Sequence, residues 1–228
     1  MKTRILVAVA ALMLCTPVMV QADVAWDNAG GSAEDFDWAN GHNTDADLFG
    51  SPTWFGGNDL YFMDSSFVSY DDDGAPGTTV TDTFDVDFTA HVDRKFLSIA
   101  VYEYGDYNIT GGAGNSVSAD LDMSAAVAGH PMTPFTDDFF FSASGDSGGT
   151  VQWNDSATLL MEMAVPDITA LHLSVSNTLV SLSDGLGGTA SITGNFVLLG
   201  VSVTVIPEPT SLALLALGGL AIARRRRP

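Results

Sequence analysis

The chain has 228 residues, a mass of 23.9 kDa and a formal net charge of −20, from 28 acidic and 8 basic side chains. This length fits one domain with appendages, and 46% hydrophobic against 16% charged residues excludes a disordered acidic tail or a coiled coil. The acidity argues against nucleic acid and anionic membranes as partners of the folded body, and the single cysteine excludes an intrachain disulfide and a cysteine-based zinc cluster.

The first 22 residues have the pattern of a cleaved secretory signal. Lys2 and Arg4 form a basic start, and an unbroken apolar run follows from residue 5 to residue 13. The run is shorter than the roughly 20 apolar residues that a membrane-spanning helix needs. We therefore expect a signal helix that signal peptidase removes between Ala22 and Asp23, rather than a permanent anchor.

The following part of the chain, residues 23–205, predicts a single all-β domain. Apolar and polar residues alternate with period two in several segments, at 79–92, 117–123, 171–175 and 197–205. Glycine-, asparagine- and aspartate-rich turns separate these segments. Many short strands with such turns indicate an antiparallel β-sandwich or a jelly roll.

Two local features of this segment carry their own expectations. The apolar residues change parity between Val175 and Val180, which predicts a turn or bulge near Asn177 and Thr178. Residues 124–128 are compatible with one helical turn.

Three adjacent carboxylates, Asp71, Asp72 and Asp73, precede Gly74 and form a candidate calcium site. Their spacing is not that of an EF-hand loop, and the alternative is a solvated acidic surface. Two further carboxylate pairs lie on the polar sides of strands and form another possible cation site: Asp85 with Asp87, and Asp120 with Asp122. Residues 23–206 contain 27 acidic side chains and two basic ones, so counter-ions are needed.

Histidine and serine residues do not predict catalysis. The loop from Gly145 to Gly149 resembles the nucleophile loop of chymotrypsin-like proteases, with Ser147 as the nucleophile. His91 precedes it by too few residues for the barrel halves that must intervene, so a glycine-rich turn is the better explanation. The chain has four histidines, none with close metal-ligand spacing: His42, His91, His130 and His172.

Tyr102 and Tyr104 share one face of a predicted strand, opposite Leu97, Ile99 and Val101. Such a face forms an exposed platform on which sugar rings can stack. The alternative is that these rings pack inside the second sheet of the sandwich.

The end of the chain has three parts in a fixed order. Pro207, Glu208 and Pro209 precede an apolar segment, residues 210–223, and then four arginines, Arg224, Arg225, Arg226 and Arg227. This order resembles the PEP-CTERM sorting signal, a segment also catalogued as the C-terminal domain of ice-binding proteins.

The resemblance implies that an exosortase, a membrane peptidase, cuts near Pro207, Glu208 and Pro209. Fourteen helical residues rise about 21 Å, which is short of the roughly 30 Å hydrocarbon core of a bilayer. The arginines hold the C-terminus in the cytoplasm by the positive-inside rule. A transient transmembrane helix is therefore expected, and a permanent tail anchor is the alternative.

The body is similar to exported PEP-CTERM proteins of environmental bacteria that lack assigned activities. Four segments carry this similarity: Asn40-Gly41, residues 48–52, residues 60–62 and residues 103–107. The similarity implies a fold more than a function.

These observations predict three parts: a signal peptide at 1–22, a β-sandwich domain at 23–205 and a sorting signal at 206–228. We expect an exported, non-enzymatic protein of the cell envelope, cell surface or extracellular matrix. Its expected role is structural or glycan-binding. Exopolysaccharide is a candidate partner, and calcium is a candidate ion. The alternative is an extracellular hydrolase that acts on polysaccharide or protein.

Overall fold

The fold was examined in a computed structural model that describes residues 23–44, 47–63, 66–72, 77–161 and 167–206. These residues form antiparallel β-strands and no helix, so the predicted all-β architecture is confirmed. The described residues contain thirteen strands: β1 (Val24–Ala25), β2 (Gly31–Ser32), β3 (Phe36–Asn43), β4 (Thr53–Trp54), β5 (Asp59–Phe62), β6 (Phe67–Asp71), β7 (Thr78–Ala90), β8 (Arg94–Thr110), β9 (Ser116–Val127), β10 (His130–Ser144), β11 (Val151–Leu160), β12 (Ala170–Leu182) and β13 (Thr189–Val205).

The strands form two sheets in a sandwich-like arrangement. The first sheet has the order β1-β3-β7-β12-β9-β10, with β2 also paired to β3. The second has the order β11-β8-β13-β5-β4, and β6 pairs with β13 beyond the end of β5. The long central strands β7, β12, β8 and β13 alternate buried and outward side chains, which is why each sheet has one face in the core and one face outside.

Aromatic side chains fill one end of the core. Phe49 contacts Phe62, Phe67 and Phe84 with ring-centroid distances between 4.7 and 6.0 Å, and all four rings are fully buried. Trp26 packs edge-on against Phe62 at 5.4 Å. These contacts join the first strands of the chain to both sheets.

The predicted break near Asn177 and Thr178 is wrong. Strand β12 runs from Ala170 to Leu182 with uninterrupted registers to both β7 and β9. The parity does not change, because Asn177 and Ser181 point inward among the apolar positions. Each has a polar partner across the core, Glu103 at 2.7 Å and Ser69 at 2.8 Å.

The helical turn expected at 124–128 is also wrong, because strand β9 extends to Val127. The signal helix and the C-terminal hydrophobic helix fall outside the described residues. Within the described part of the chain, no helix has the length and hydropathy to cross a bilayer.

Candidate functional site

Four aromatic rings form a row across the outer face of the second sheet. Tyr104 on β8 contacts Phe196 on β13 at 5.8 Å, Phe196 contacts Tyr61 on β5 at 5.9 Å, and Tyr61 contacts Phe55 at 5.4 Å. Phe55 is 66% exposed and Tyr104 is 43% exposed. We call Phe55, Tyr61, Phe196 and Tyr104 the aromatic row.

A bulge in β13 places Phe196 in this row. The register with β8 shifts between Gly194 and Phe196, so Asn195 is an extra residue on β13. Its side-chain amide donates to Asp106 on β8 at 2.7 Å, which fixes the bulge. Because of this insertion, Phe196 faces outward next to Tyr104.

A groove of about 620 Å³ lies beside the aromatic row. Its floor contains the small residues Ala100 and Gly200, which are directly paired between β8 and β13. Tyr102 and Tyr104 stand along it on β8, and Tyr102 pairs with Leu198. The missing side-chain bulk at Ala100 and Gly200 creates the depression next to the two tyrosines.

Polar groups line the other side of this groove. Asp59 lies beside Gly200, and Ser98 and Ser202 face each other on β8 and β13. Asn58 is held rigidly, because its side-chain amide donates to Asp35 at 2.8 Å and its oxygen accepts the Asp35 backbone N–H at 3.1 Å. The groove therefore combines stacking surfaces with hydrogen-bonding groups.

The two predicted stacking residues, Tyr102 and Tyr104, are thus exposed on the outer face and not packed in the core. Trp54 is also exposed, and its indole N–H donates to the Gly57 carbonyl at 3.1 Å. The other three tryptophans are buried: Trp26, Trp38 and Trp153. Sequence alternation located the tyrosines, but it did not predict that rings from β5 and β13 would join them.

The three residues of the candidate calcium site do not all point the same way. Asp71 is buried, and its carboxylate accepts the Ser183 backbone N–H at 2.7 Å. Asp72 is exposed and accepts the Tyr70 hydroxyl at 3.2 Å. Asp73 lies outside the described residues. Asp71 is therefore buried at the end of β6 whereas Asp72, just beyond that strand, is exposed, and calcium binding here stays a prediction.

The serine of the protease-like loop has a local structural role. Ser147 accepts the Ile109 backbone N–H at 3.0 Å, and its hydroxyl lies 2.5 Å from the Gly149 carbonyl, to which it donates. His91 contacts Asp37 at 3.1 Å and Ser32 at 3.4 Å. These contacts are those of a loop-fixing serine and a surface histidine.

Carboxylates concentrate on the outer face of the first sheet. Asp120 lies near Asp122 and Asp138, and its pKa is raised by partial burial and by these two neighbouring charges. Asp85 and Asp87 face outward on β7, and both lie within 4.0 Å of histidine nitrogens. Among the described residues, however, no three acidic, histidine or cysteine side chains are already gathered closely enough to hold a metal ion.

The carboxyl group of Glu103 is fully buried between the two sheets. Glu103 on β8 accepts from the side-chain amide of Asn177 at 2.7 Å. Its second oxygen, Oε2, and Asn177 Oδ1 are buried without a hydrogen-bond partner. Burial raises the pKa of Glu103 to about 8, against the lowering effect of the Asn177 hydrogen bond. Because Glu103 points away from the outer face, it is not part of the groove.

Residues 205–227 match the PEP-CTERM protein-sorting motif. The motif marks an exported protein that is sorted to the cell surface and implies processing by an exosortase during export. No curated protein matches the chain.

Solved structures that match the chain include two carbohydrate-binding modules and a viral VP2 subviral particle. A non-crystalline cellulose specific module, CBM28, is 11% identical, covering 80% of this chain and 92% of its own, with a TM-score of 0.29. The xylan-binding module CBM15 is 12% identical, covering 61% and 93%, with a TM-score of 0.25. VP2 of infectious bursal disease virus is 12% identical, covering 71% and 47%, with a TM-score of 0.24. At these TM-scores the likeness carries no functional argument.

Proposed function

We propose that this exported protein is a non-catalytic component of the cell envelope or extracellular matrix that binds neutral polysaccharide on the outer face of its second sheet. The observation that carries the proposal is the groove in which Tyr102 and Tyr104 stand beside the small residues Ala100 and Gly200. The exported state follows from the sorting motif.

The chemistry of this groove suits a sugar chain. Sugar rings present apolar C–H faces that stack on aromatic rings, and tyrosine offers such a ring with little conformational entropy to lose. Ala100 and Gly200 let a chain lie close to the sheet, where Asp59, Ser98 and Ser202 are available to hydrogen-bond its hydroxyls. The volume of about 620 Å³ falls within the usual range for ligand sites.

Binding without turnover is supported by the carboxylate content of the groove. Glycoside hydrolysis ordinarily needs two carboxyl groups placed on either side of the scissile bond. Asp59 is the one carboxylate among the described residues that line the groove. A neutral ligand is favoured because the folded body has a large excess of negative charge, which repels an anionic chain.

The test measures retention of the full-length chain, purified in mild detergent, on a panel of immobilised neutral and acidic polysaccharides. Tyr102→Ala and Tyr104→Ala are each expected to weaken binding about fivefold to tenfold through loss of stacking. Tyr70→Ala is the matched control, since Tyr70 is 49% exposed on the same sheet. Tyr70 pairs with Ser191, which lies about 23 Å along β13 from Leu198, the partner of Tyr102.

A second variant blocks the groove without removing an aromatic ring. A Cβ added at Gly200 meets only Asp59 Oδ1 at 3.4 Å and the Ala100 carbonyl at 4.0 Å, so Gly200→Leu is tolerated by the backbone. It is expected to abolish retention. Equal retention of wild type and both tyrosine variants would contradict the proposal, and release of reducing sugar ends would support the hydrolase alternative instead.

Processing of the two ends is tested separately by the intact mass of the exported protein. We expect the mature chain to begin near Asp23 and to end between Ile206 and Pro209. A product that retains Arg224–Arg227 would instead indicate a permanent tail anchor.

A further inference from the structure

The outer face of the first sheet brings together two histidines that are far apart in the sequence. His42 on β3 is directly paired with Asp85 on β7. His172 on β12 is paired with Asp87, two residues further along β7. Both imidazoles lean toward Asp85, so one carboxylate on the middle strand lies between two rings from the flanking strands.

Each histidine has its Nδ1 atom held by an acceptor. His42 Nδ1 lies 2.8 Å from the Asn40 carbonyl, and His172 Nδ1 lies 2.8 Å from Asp87 Oδ1. A carbonyl or a carboxylate only accepts, so both Nδ1 atoms carry the proton. In the neutral ring, Nε2 then has a free lone pair.

This arrangement is supported by the local backbone. Asn40 has a positive φ of 56°, and the register between β3 and β7 shifts between Ala39 and His42, so a bulge aims the Asn40 carbonyl at the His42 ring. The Asn40 side chain also donates to Asp87 Oδ2 at 2.7 Å. Asn40 and Asp87 therefore orient both imidazoles.

The two Nε2 atoms face carboxylate oxygens. His172 Nε2 is 3.3 Å from Asp85 Oδ1, and His42 Nε2 is 4.0 Å from Asp85 Oδ2 and 3.8 Å from Asp23 Oδ2. In the neutral rings these atoms are all acceptors, and either a proton on Nε2 or a metal ion between the two atoms removes the repulsion of their lone pairs. The orientation of both rings through Nδ1 is the one that metal-binding histidines adopt, with a carbonyl or carboxylate as the outer partner.

We propose that His42, Asp85 and His172, with Asp23 at the edge, bind one divalent transition-metal ion of the zinc class. Ligands placed tetrahedrally at about 2.0–2.1 Å from zinc are about 3.3 Å from one another. The three nitrogen–oxygen distances, 3.3–4.0 Å, exceed this by about 0.7 Å or less. Ion binding therefore requires these side chains to move from their positions in the structure, where no three such groups among the described residues are gathered around one point. Two imidazole nitrogens favour zinc over calcium, which prefers oxygen ligands.

The test is zinc titration of the full-length chain, purified in detergent without a histidine tag, by competition with a chromophoric chelator. Calcium is present at about 10 mM, above the 10⁻⁴–10⁻³ M dissociation constants of weak oxygen-ligand sites, so that the surface aspartates do not contribute. The wild type is expected to bind one zinc ion. His42→Gln and His172→Gln are each expected to lower the affinity at least tenfold.

His91→Gln is the matched control, because His91 is a surface histidine of the same face that contacts one aspartate, Asp37. It is expected to leave zinc affinity unchanged. Asp87→Asn tests the orienting partner of His172 and is expected to weaken binding about 10-fold to 100-fold.

A measurement on the wild type alone guards against variants that fail to fold. Zinc is expected to shift the imidazole NMR signals of His42 and His172 and to leave those of His91 in place. Absence of a bound zinc ion would overturn the proposal, as would equal affinity in wild type and both glutamine variants. Either result would mean that the two histidines contact Asp85 without holding an ion.

Discussion

The buried carboxyl of Glu103 predicts a specific pH dependence of stability. Its pKa is raised to about 8 in the folded protein by burial, whereas the ordinary value is 4.5. The folded state therefore holds the proton more tightly than the unfolded state does. Stability from this group is fully present below about pH 4.5 and is lost progressively as the pH rises through 8.

The magnitude follows from the difference between the two pKa values. At about 1.4 kcal/mol for each unit, this difference corresponds to an upper limit of about 5 kcal/mol lost between pH 4.5 and pH 8. A typical domain has a free energy of unfolding of about 5–15 kcal/mol, so the loss is large enough to measure.

Glu103→Gln removes the titration and keeps the side-chain volume. The glutamine carbonyl still accepts from Asn177, and the amide does not ionise over this pH range. We therefore expect the free energy of unfolding of wild type, relative to Glu103→Gln, to fall between pH 5 and pH 8. Urea unfolding at each pH, followed by tryptophan fluorescence, measures the difference.

Glu34→Gln is the matched control, because Glu34 undergoes the same chemical change on the exposed surface. The difference in free energy of unfolding between this variant and wild type is expected to change little between pH 5 and pH 8. If the difference in free energy of unfolding between wild type and Glu103→Gln did not change over the same pH range, the reasoning would be refuted. That result would mean that Glu103 does not retain its proton in the folded protein.

Three further predictions concern stability, all measured on the full-length chain. Gly194→Ala is expected to cost about 1–3 kcal/mol in urea unfolding, because a Cβ there lies 2.6 Å from Glu103 Oε1; an unchanged midpoint would contradict this. Asp122→Asn is expected to raise the thermal midpoint at low salt by relieving repulsion with Asp120 and Asp138, and an equal gain in 1 M salt would exclude this cause. Millimolar calcium is expected to raise the midpoint more than sodium at matched ionic strength, and equal effects would indicate screening alone.

Local alternation predicted the strands and their outward residues well. The period of two in β7, β9 and β13 is visible in the sequence and sets which side chains are buried. The same alternation placed Tyr102 and Tyr104 on one face, and the structure exposes both.

The break predicted near Asn177 was wrong because strand β12 was considered by itself. Asn177 continues the inward parity of Val175 on β12, and Glu103 continues that of Val101 on β8. Each looks like a break in its own strand, yet the two hydrogen-bond to each other at 2.7 Å. Two polar residues at inward positions on different strands signal a buried pair only when the strands are known to face each other.

The aromatic row and the histidine pair depend on pairings that no local pattern contains. Phe196 reaches Tyr104 because β13 lies beside β8 with a bulge at Asn195. His42 and His172 meet over Asp85 because β7 lies between β3 and β12. Strand order and register are set by long-range packing, so spacing along the chain gave no metal-ligand signal.

The two proposed sites belong to opposite outer faces of the sandwich, and the two faces differ in their density of negative charge. The groove face contains aromatic and small residues around Asp59, whereas the face with His42 and His172 contains most of the paired carboxylates. A sugar chain in the groove is therefore kept away from the densest negative charge, and a metal ion is drawn toward it. Because no residue is shared, Tyr102→Ala serves as a control for zinc binding, and His172→Gln serves as a control for polysaccharide binding.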